Sequence, residues 1–249
     1  MNTGALWRSY HDRTVMNLFS KAKICISQNE EHSQVTLFFT LTMTFLSQLN
    51  WRYATKKFDT SRKVSDADLD QILEAIRMTP TSFGMMPYHF YIVTNPEILE
   101  KIQAIAWNQP QITTCSHLIV FAARNDLAQV QEEYFSLMSG GNPEIRASLK
   151  GYEDMVSGFV ASKNTDTAHI WATKQAYIAH GFALAACAEL GVDSCAMEGF
   201  DPAALDTILD LPATQKSVVL LPIGYRAEGE APRGEKVRFS REAMFSEVR

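Results

Sequence analysis

The chain has 249 residues, of which 46% are hydrophobic and 20% are charged, and its formal net charge at pH 7 is −5. This length suffices for one large core or two modest domains, and the composition is that of an ordinary soluble globular protein. Because general affinity for nucleic acid or anionic membranes needs a broad basic surface, the acidic balance argues against both kinds of partner.

The first forty-odd residues differ from the rest of the chain. Their stretch VTLFFTLTMTFL (35–46) is apolar but contains four threonines, and it falls well short of the roughly 20 residues that a membrane span requires. No clean A-x-A cleavage site follows, so a secretion signal is not favoured. We therefore predict an N-terminal extension over 1–42, either poorly ordered or the result of a misplaced start, followed by one domain over 43–249.

From Ser65 onwards the sequence predicts regular elements. Ser65 and Asp68 form a capping box at the start of a helix that Pro80 ends, and Asn95 caps a second helix. The run HLIVFAAR (117–124) is continuously apolar, as expected of a strand covered on both faces. Strands are predicted over 89–94, 117–124 and 217–226, and helices over 65–80, 95–105, 127–138, 143–160, 166–191 and 201–210.

The helix predicted over 166–191 has an unusual centre, AYIAHGFALAACAEL, made of small and apolar residues. A helix that is apolar on all sides is expected to be wholly buried. Strands and helices alternate after residue 50 without repeats, low-complexity tracts or linkers, and this pattern predicts a single α/β or α+β domain.

The cysteines and histidines show no catalytic or metal-binding pattern. The four cysteines form no C-x-x-C pair and no histidine stands at zinc-ligand spacing, so neither a disulfide framework nor a structural metal is expected. Buried free thiols in a reducing cytoplasm fit better. His89 and His117 begin apolar strands and His180 lies in the predicted core helix, so a hydrogen-bonded core role is favoured over catalysis for each, and we assign them no chemistry.

The local motifs of common nucleotide-binding and hydrolytic enzymes are absent. There is no G-x-G-x-x-G after a strand, no P-loop, no G-x-S-x-G and no H-E-x-x-H. The sequence does contain a basic run, WRYATKKFDTSRK (51–63), on an otherwise acidic chain. Such a run is usually a solvated loop, so a role in binding an anion needs support from the rest of the chain.

Several stretches, taken in order, supply that support. They are RYATKKFD, PTSFGMMPYHF, WNQPQI, CSHLIVFAAR, MEGFD and KVRFS, at 52–59, 80–90, 107–112, 115–124, 197–201 and 236–240. Together they resemble the FMN-dependent nitroreductase family, of the oxygen-insensitive NAD(P)H nitroreductase and dihydropteridine reductase type, from about Met43 to the C-terminus. The resemblance implies an α+β, three-layer fold with a central mixed, mainly antiparallel sheet flanked by helices, and the long buried helix at a dimer interface.

The resemblance also gives the basic run a role. FMN carries a phosphate dianion at one end and a ring that gains negative charge on reduction at the other, so its site needs positive charge in two places. By resemblance, Arg52, Lys236 and Arg238 hold the phosphate. Lys56 lies against the pyrimidine end of the ring, where a cation stabilises the reduced form more than the oxidised form.

The other motifs imply contacts along the ring. Asn108 matches a family asparagine that hydrogen-bonds its polar edge, and Gln111 stands where some members have lysine, which keeps a donor but not a charge. Glu198 and Gly199 match the pair whose backbone approaches flavin N5, where a residue without Cβ allows close approach. The two residues before this pair depart from the family's usual Pro–Ile. The remaining predicted cofactor contacts are Tyr53, Ala54, Thr81 and Ser82.

The implied function is that of a cytoplasmic homodimer that takes hydride from NADH or NADPH onto FMN and passes two electrons to nitroaromatics, quinones or a pteridine, by ping-pong kinetics. Two alternatives stay open. One is an FMN-binding redox-sensing or flavin-carrying module without turnover, and the other is a member with different flavin chemistry, such as dehalogenation or flavin fragmentation. No residue in 136–164 aligns with the family's aromatic gate, and Tyr152 and Phe159 are the candidates.

Overall fold

The structure, a computed structural model, describes residues 23–25, 38–40, 45–232 and 234–249. The chain divides into two compact units, Met1–Gln48 and Leu49–Arg249. In the described part of the first unit, strand β1 (Lys23–Cys25) pairs antiparallel with β2 (Phe38–Thr40). The rest of the extension predicted over 1–42 lies outside the described residues, so its expected poor order or misplaced start stays a prediction.

Helices and short strands alternate from Phe45 onwards. The helices are α1 (Phe45–Trp51), α2 (Asp66–Arg77), α3 (Pro96–Ile105), α4 (Gln111–Thr114), α5 (Leu127–Ser139), α6 (Pro143–Ser148), α7 (Lys150–Ala161), α8 (Thr165–Glu189), α9 (Pro202–Ile208) and α10 (Arg241–Met244). The strands are β3 (Tyr88–Val93), β4 (His117–Arg124), β5 (Asp193–Ser194) and β6 (Gln215–Gly224), and a 3₁₀ turn spans Ser82–Gly84. The predicted caps Ser65 and Asn95 each accept hydrogen bonds from the first turn of α2 and α3.

A four-stranded antiparallel sheet in the order β3-β4-β6-β5 lies at the centre of the larger unit. β4 pairs with both β3 and β6, the latter in the register Val120↔Leu220. A parallel bridge joins Ala54 to Ser194 of β5. The sheet is thus mainly antiparallel with a parallel connection, as the resemblance implies.

Alternate residues of β4 point to opposite faces of the sheet. Leu118 and Val120 pack in a core with residues of α3 and α9, whereas Ile119 and Phe121 pack in a second core with residues of α2 and α8. Helices therefore cover both faces, which explains why β4 is a continuous apolar run. The architecture is the three-layer α+β fold that the sequence predicts.

Helix α8 is not wholly buried, so this part of the sequence prediction is wrong for the single chain. Its small residues, among them Ala179 and Ala183, pack on the sheet and are buried completely. On its outer side, Ile170, Ile178 and Phe182 are 54%, 42% and 41% exposed. The alanines let the backbone lie close to the sheet, and a sheet can cover only one side of a helix.

The helix predicted over 143–160 is also wrong in detail, because two helices, α6 and α7, occupy this stretch. The chain turns at Leu149, whose N–H donates to the carbonyls of Ile145 and Arg146 and so closes α6. The Leu149 side chain packs against a small core that contains Val130 and Phe135. The apolar periodicity continues across the turn, which hides the break in the sequence.

Candidate cofactor site

A cavity of about 430 Å³ lies where the basic run meets the segment after β6. The run contributes backbone and side chains on one wall, and the segment that follows Ala227 contributes the other. Lys56 and Lys236, which are 180 residues apart in the chain, both line it. The lining residues are Tyr53, Ala54, Lys56, Glu230, Ala231, Pro232, Gly234, Glu235 and Lys236.

Three cations converge beside this cavity. The Lys236 ammonium donates to the backbone carbonyls of Leu49 and Asn50, at 2.8 and 2.5 Å, which holds it next to Arg52. Burial lowers the pKa of Lys236, and the charges of Arg52 and Arg238 lower it further. The lowered pKa shows that these like charges repel one another, so the cluster is well suited to bind an anion that would neutralise it.

Arg52 extends inwards from this cluster. Burial lowers its pKa, the Cys195 thiol opposes that effect and the neighbouring Arg238 adds to it. Its Nε is buried and makes no hydrogen bond within the described residues, and the same is true of His180 Nε2. Burial, followed by the charge of Arg52, lowers the pKa of His180 to about 4. Buried polar atoms without partners suit a site where a ligand supplies them.

Lys56 has different neighbours from the three cations of that cluster. Its backbone N–H donates to Glu230 Oε1 at 2.9 Å, and its ammonium lies 3.5 Å from the sulfur of Cys195. The side-chain amide of Gln111 lies 3.9 Å from the same sulfur. Burial raises the pKa of the Cys195 thiol, and the Lys56 cation opposes that rise. The structure thus brings the predicted ring contacts Lys56 and Gln111 together around a thiol that sequence reasoning had not assigned to the site.

The loop of Glu198 and Gly199 contacts the stretch 107–111. Gln109 donates to the carbonyl of Gly199 at 3.1 Å, and the Trp107 ring packs so closely that a Cβ on Gly199 would lie 2.6 Å from its Cζ3 atom. Trp107 and Asn108 both have positive φ, and the Trp107 side chain is 77% exposed. A side chain at position 199 would therefore require the exposed Trp107 ring to move.

Glu198 is fixed from the other side by helix α8. The hydroxyl of Tyr177 donates to Glu198 Oε1 at 2.5 Å and contacts the carbonyl of Val218 at 3.3 Å. Burial raises the pKa of Tyr177, and the Glu198 carboxylate raises it further, so the phenol stays protonated and remains a donor. No sequence motif had linked Tyr177 to the predicted pair.

Ser82 begins the 3₁₀ turn and Thr81 precedes it, and neither lines the cavity described above. The N–H of Ser82 donates to Gln175 Oε1 of α8 at 2.9 Å, and Thr81 Oγ1 accepts from Met86 N–H at 3.1 Å. The gate candidates contact the same turn: Tyr152 donates to the carbonyl of Phe83, and Phe159 packs on the Phe83 ring. Within one chain, these residues form a packed group.

Two solved structures share this fold over nearly their whole length. One, from Exiguobacterium sibiricum, is described as a "putative nitroreductase in complex with FMN", with a TM-score of 0.71, 18% identity, and coverage of 83% of this chain and 98% of that one. The other is described as CLA-ER, an enone reductase of gut-bacterial fatty acid saturation metabolism, with a TM-score of 0.72, 18% identity, and coverage of 82% and 98%. The fold is that of the nitroreductases.

Sequence comparison gives the family. The profile of the Nitroreductase family matches residues 49–225. A Staphylococcus epidermidis protein named "Putative NAD(P)H nitroreductase" is 34% identical over 216 residues, which cover 83% of this chain and 97% of the relative. This chain belongs to the nitroreductase family. Of the helices that the structure describes, none has the length and apolar character needed to cross a bilayer.

Proposed function

We propose that this protein is an FMN-dependent oxidoreductase that takes hydride from NADH or NADPH and passes two electrons to a second substrate by ping-pong kinetics. The observation that carries the proposal is the gathering of cations around one site: the charges of Arg52 and Arg238 act on Lys236, and the Lys56 ammonium lies beside Cys195. FMN needs positive charge at its phosphate and at its ring, and cations with different neighbours in one site suit both needs. The family membership and the FMN in the Exiguobacterium neighbour support the same cofactor.

In this proposal the chain binds and orients the cofactor. FMN, when bound, supplies hydride acceptance and delivery at its N5 atom. Arg52 and Arg238 donate charge-assisted hydrogen bonds to its phosphate, and Lys236 acts there as a point charge. Lys56 stabilises negative charge at the pyrimidine end, with Gln111 as a neutral donor nearby. Tyr53 and Ala54, on the cavity wall, contact the cofactor between these ends.

The other edge of the proposed ring site is formed by Asn108, Glu198 and Gly199. Tyr177 anchors the Glu198 side chain, and Gln109 anchors the Gly199 carbonyl, so the backbone of this pair is fixed from two sides. Fixed backbone groups at the reacting edge lower the cost of orientation, because little needs to be reorganised when hydride is transferred. Trp107, exposed beside Gly199, is available to contact a substrate on this edge.

A homodimer is part of the proposal. The exposed side chains of Ile170, Ile178 and Phe182 form an apolar face on α8. A second copy of the chain would cover this face in a large, obligate dimer interface. Val237 and Phe239, beside the phosphate-site residues, are 87% and 82% exposed and add to the uncovered apolar surface. In a dimer, Thr81 and Ser82 would contact the cofactor held by the other copy, which accounts for their place outside the cavity.

Nitroaromatics, quinones or a pteridine remain the proposed acceptors. The enone reductase among the structural neighbours shows that one fold serves different acceptors, so different flavin chemistry stays a second candidate. We further propose that the functional domain spans 43–249 and that the protein works in the cytoplasm, where the buried free thiols Cys115, Cys187 and Cys195 would stay reduced.

One experiment separates an enzyme from a flavin-binding module. Full-length protein is saturated with FMN, freed of excess, and mixed anaerobically with NADH or NADPH in a stopped-flow instrument while flavin absorbance is followed. Fast bleaching with at least one nucleotide is expected, followed by recovery when menadione or nitrofurazone is added. Retention of FMN without bleaching by either nucleotide would show a binder without turnover, and failure to retain FMN would refute the proposal.

A further inference from the structure

A buried ion pair lies behind the basic run, at the junction of β5 and β6. Asp193, of which 4% of the side chain is exposed, accepts from the Arg226 guanidinium at 2.6 Å from Nη2 and 3.0 Å from Nε, and from the Arg226 backbone N–H at 2.8 Å. Three donors from one residue fix the orientation of the guanidinium plane.

The basic run wraps around this pair through alternate residues. The guanidinium carbon of Arg226 lies 4.7 Å from the ring centroid of Trp51 and 4.7 Å from that of Tyr53. The hydroxyl of Thr55, which is fully buried, lies 3.4 Å from Asp193 Oδ1. A planar cation can contact two rings and a carboxylate at once, and an ammonium cannot do so in the same geometry.

The residues between these contacts are the ones assigned to the cofactor. Arg52, between the two rings, reaches the cation cluster and Cys195, and Lys56, next to Thr55, reaches the Cys195 sulfur. A shift in the backbone of 51–55 would therefore displace both cations together. Neither member of the ion pair lines the cavity itself, but Arg226 contacts the lining residue Tyr53, so the pair acts on the cavity through this segment.

We infer that Arg226 and Asp193 are positioning residues, which clamp the segment 51–56 and aim Arg52 at the phosphate and Lys56 at the ring. The inference rests on the proposed function for its cofactor half. The clamp itself acts in the unliganded chain. Without the guanidinium group against the rings of Trp51 and Tyr53, the backbone of 51–56 is no longer held in one position.

The test uses Arg226→Lys, which keeps the positive charge but removes the two forked N–H donors and the planar guanidinium group. The control is Arg124→Lys, because Arg124 is also partly buried and makes a forked pair with Asp126, together with a second pair to Glu133. Arg124 pairs with Gln215 at one end of β6, whereas Arg226 follows the other end, so the control disturbs forked arginine pairing away from the basic run. Melting temperatures report the general stability loss of both variants.

Two readouts decide the inference. Amide hydrogen exchange in the unliganded protein is expected to become about tenfold faster across 51–56 in Arg226→Lys, and to stay at the wild-type rate there in Arg124→Lys. Riboflavin lacks the phosphate of FMN, so the dissociation constant of riboflavin divided by that of FMN measures how much the phosphate contributes to binding. This ratio is expected to fall at least about fivefold in Arg226→Lys and to stay unchanged in Arg124→Lys. General destabilisation would weaken both flavins equally and leave that ratio unchanged.

Unchanged exchange across 51–56 would overturn the clamp, and faster exchange with an unchanged ratio would overturn its role in aiming Arg52. Wild-type protein that binds neither flavin would refute the proposed function together with the cofactor half of the inference, while the exchange rates would still decide whether the pair orders the segment. Should Arg226→Lys fail to fold, Trp51→Leu removes one of the two rings and leaves the ion pair, and the same shifts are expected on a smaller scale.

Discussion

The ammonium group of Lys56 lies 3.5 Å from the sulfur of Cys195, a residue 139 positions further along the chain. The thiol is buried, and burial raises its pKa, so Cys195 is a neutral neighbour that orients the lysine without neutralising it. This contact does not pair the Lys56 ammonium with a carboxylate, so it suits an anionic partner in the cavity.

This relationship predicts a redox effect for Lys56→Ala. Loss of the cation should lower the midpoint potential of bound FMN by about 30 to 60 mV, equivalent to about 1.4 to 2.8 kcal/mol for a two-electron couple, while oxidised FMN still binds. The potential is measured by equilibration with reference dyes. Lys57→Ala is the control, because Lys57 is exposed and should leave the potential unchanged. Equal potentials in wild type and Lys56→Ala would remove Lys56 from the ring site.

A double-mutant cycle tests the contact between Gly199 and Trp107. A Cβ at position 199 would meet the tryptophan ring at 2.6 Å, but this ring is 77% exposed and can move, so Gly199→Ala should cost no more than about 1 kcal/mol of stability. In a Trp107→Ala background this cost should largely disappear. Chemical denaturation of the four proteins gives the coupling, and strictly additive costs would show that the ring is not the obstacle.

The same variants test whether this pair lies at the N5 edge. With Trp107 already replaced by alanine, Gly199→Val introduces a side chain that should obstruct hydride transfer more than FMN binding. Single-turnover bleaching by NADH should be slower than in Trp107→Ala alone, with similar FMN retention. Bleaching at the same rate would place the pair away from the reacting atoms.

His180 predicts a pH dependence of stability. Burial lowers its pKa in the folded chain to about 4, from 6.5, so the unfolded chain takes up the proton first as the pH falls. The contribution of this group is fully present above pH 6.5 and decreases as the pH falls from 6.5 to about 4, by about 3 kcal/mol in total. In the flavin-free protein, urea denaturation should show a shallower loss over this range for His180→Leu than for wild type. Identical slopes in wild type and His180→Leu would contradict the assignment.

The proposed domain boundary is tested by a shortened chain. A protein that starts at Met43 keeps the stretch matched by the family profile, 49–225, and all the proposed cofactor contacts. It should be yellow after purification, dimeric by light scattering, and bleached by NADH or NADPH at the rate of the full chain. A colourless or insoluble product would show that residues 1–42 belong to the functional domain.

The sequence predicts those parts of the fold that depend on local chemistry. Ser65 and Asn95 cap helices because their side chains accept hydrogen bonds from residues two or three positions ahead, and such spacing is visible in the sequence. The exposed face of α8 was not predictable. A run of small apolar residues indicates that a helix surface will be covered, but it does not tell whether the same chain or another one covers it. The break at Leu149 was missed because it leaves the apolar periodicity intact.

For the candidate site, the resemblance predicts residues and the structure gives their neighbours. Arg52, Lys236 and Arg238 lie close enough for their charges to interact, although no single stretch of sequence contains all three, and their role in holding the phosphate stays a prediction. The contacts of Cys195 and of the Arg226–Asp193 pair could not be predicted, since each joins stretches far apart in the chain. A thiol, an arginine and an aspartate carry no motif that would have linked them to the basic run.

The most direct test of this account is the FMN dissociation constant of Arg52→Ala, compared with wild type and with Lys57→Ala by equilibrium fluorescence titration. Arg52→Ala removes a charge-assisted contact made equally to oxidised and reduced FMN, so it should weaken binding by about 1.5 to 3 kcal/mol, or about ten- to 150-fold, and leave the midpoint potential unchanged. Lys57→Ala should bind as wild type does. Equal dissociation constants for all three proteins would show that the basic run is a charged loop and that the phosphate site lies elsewhere.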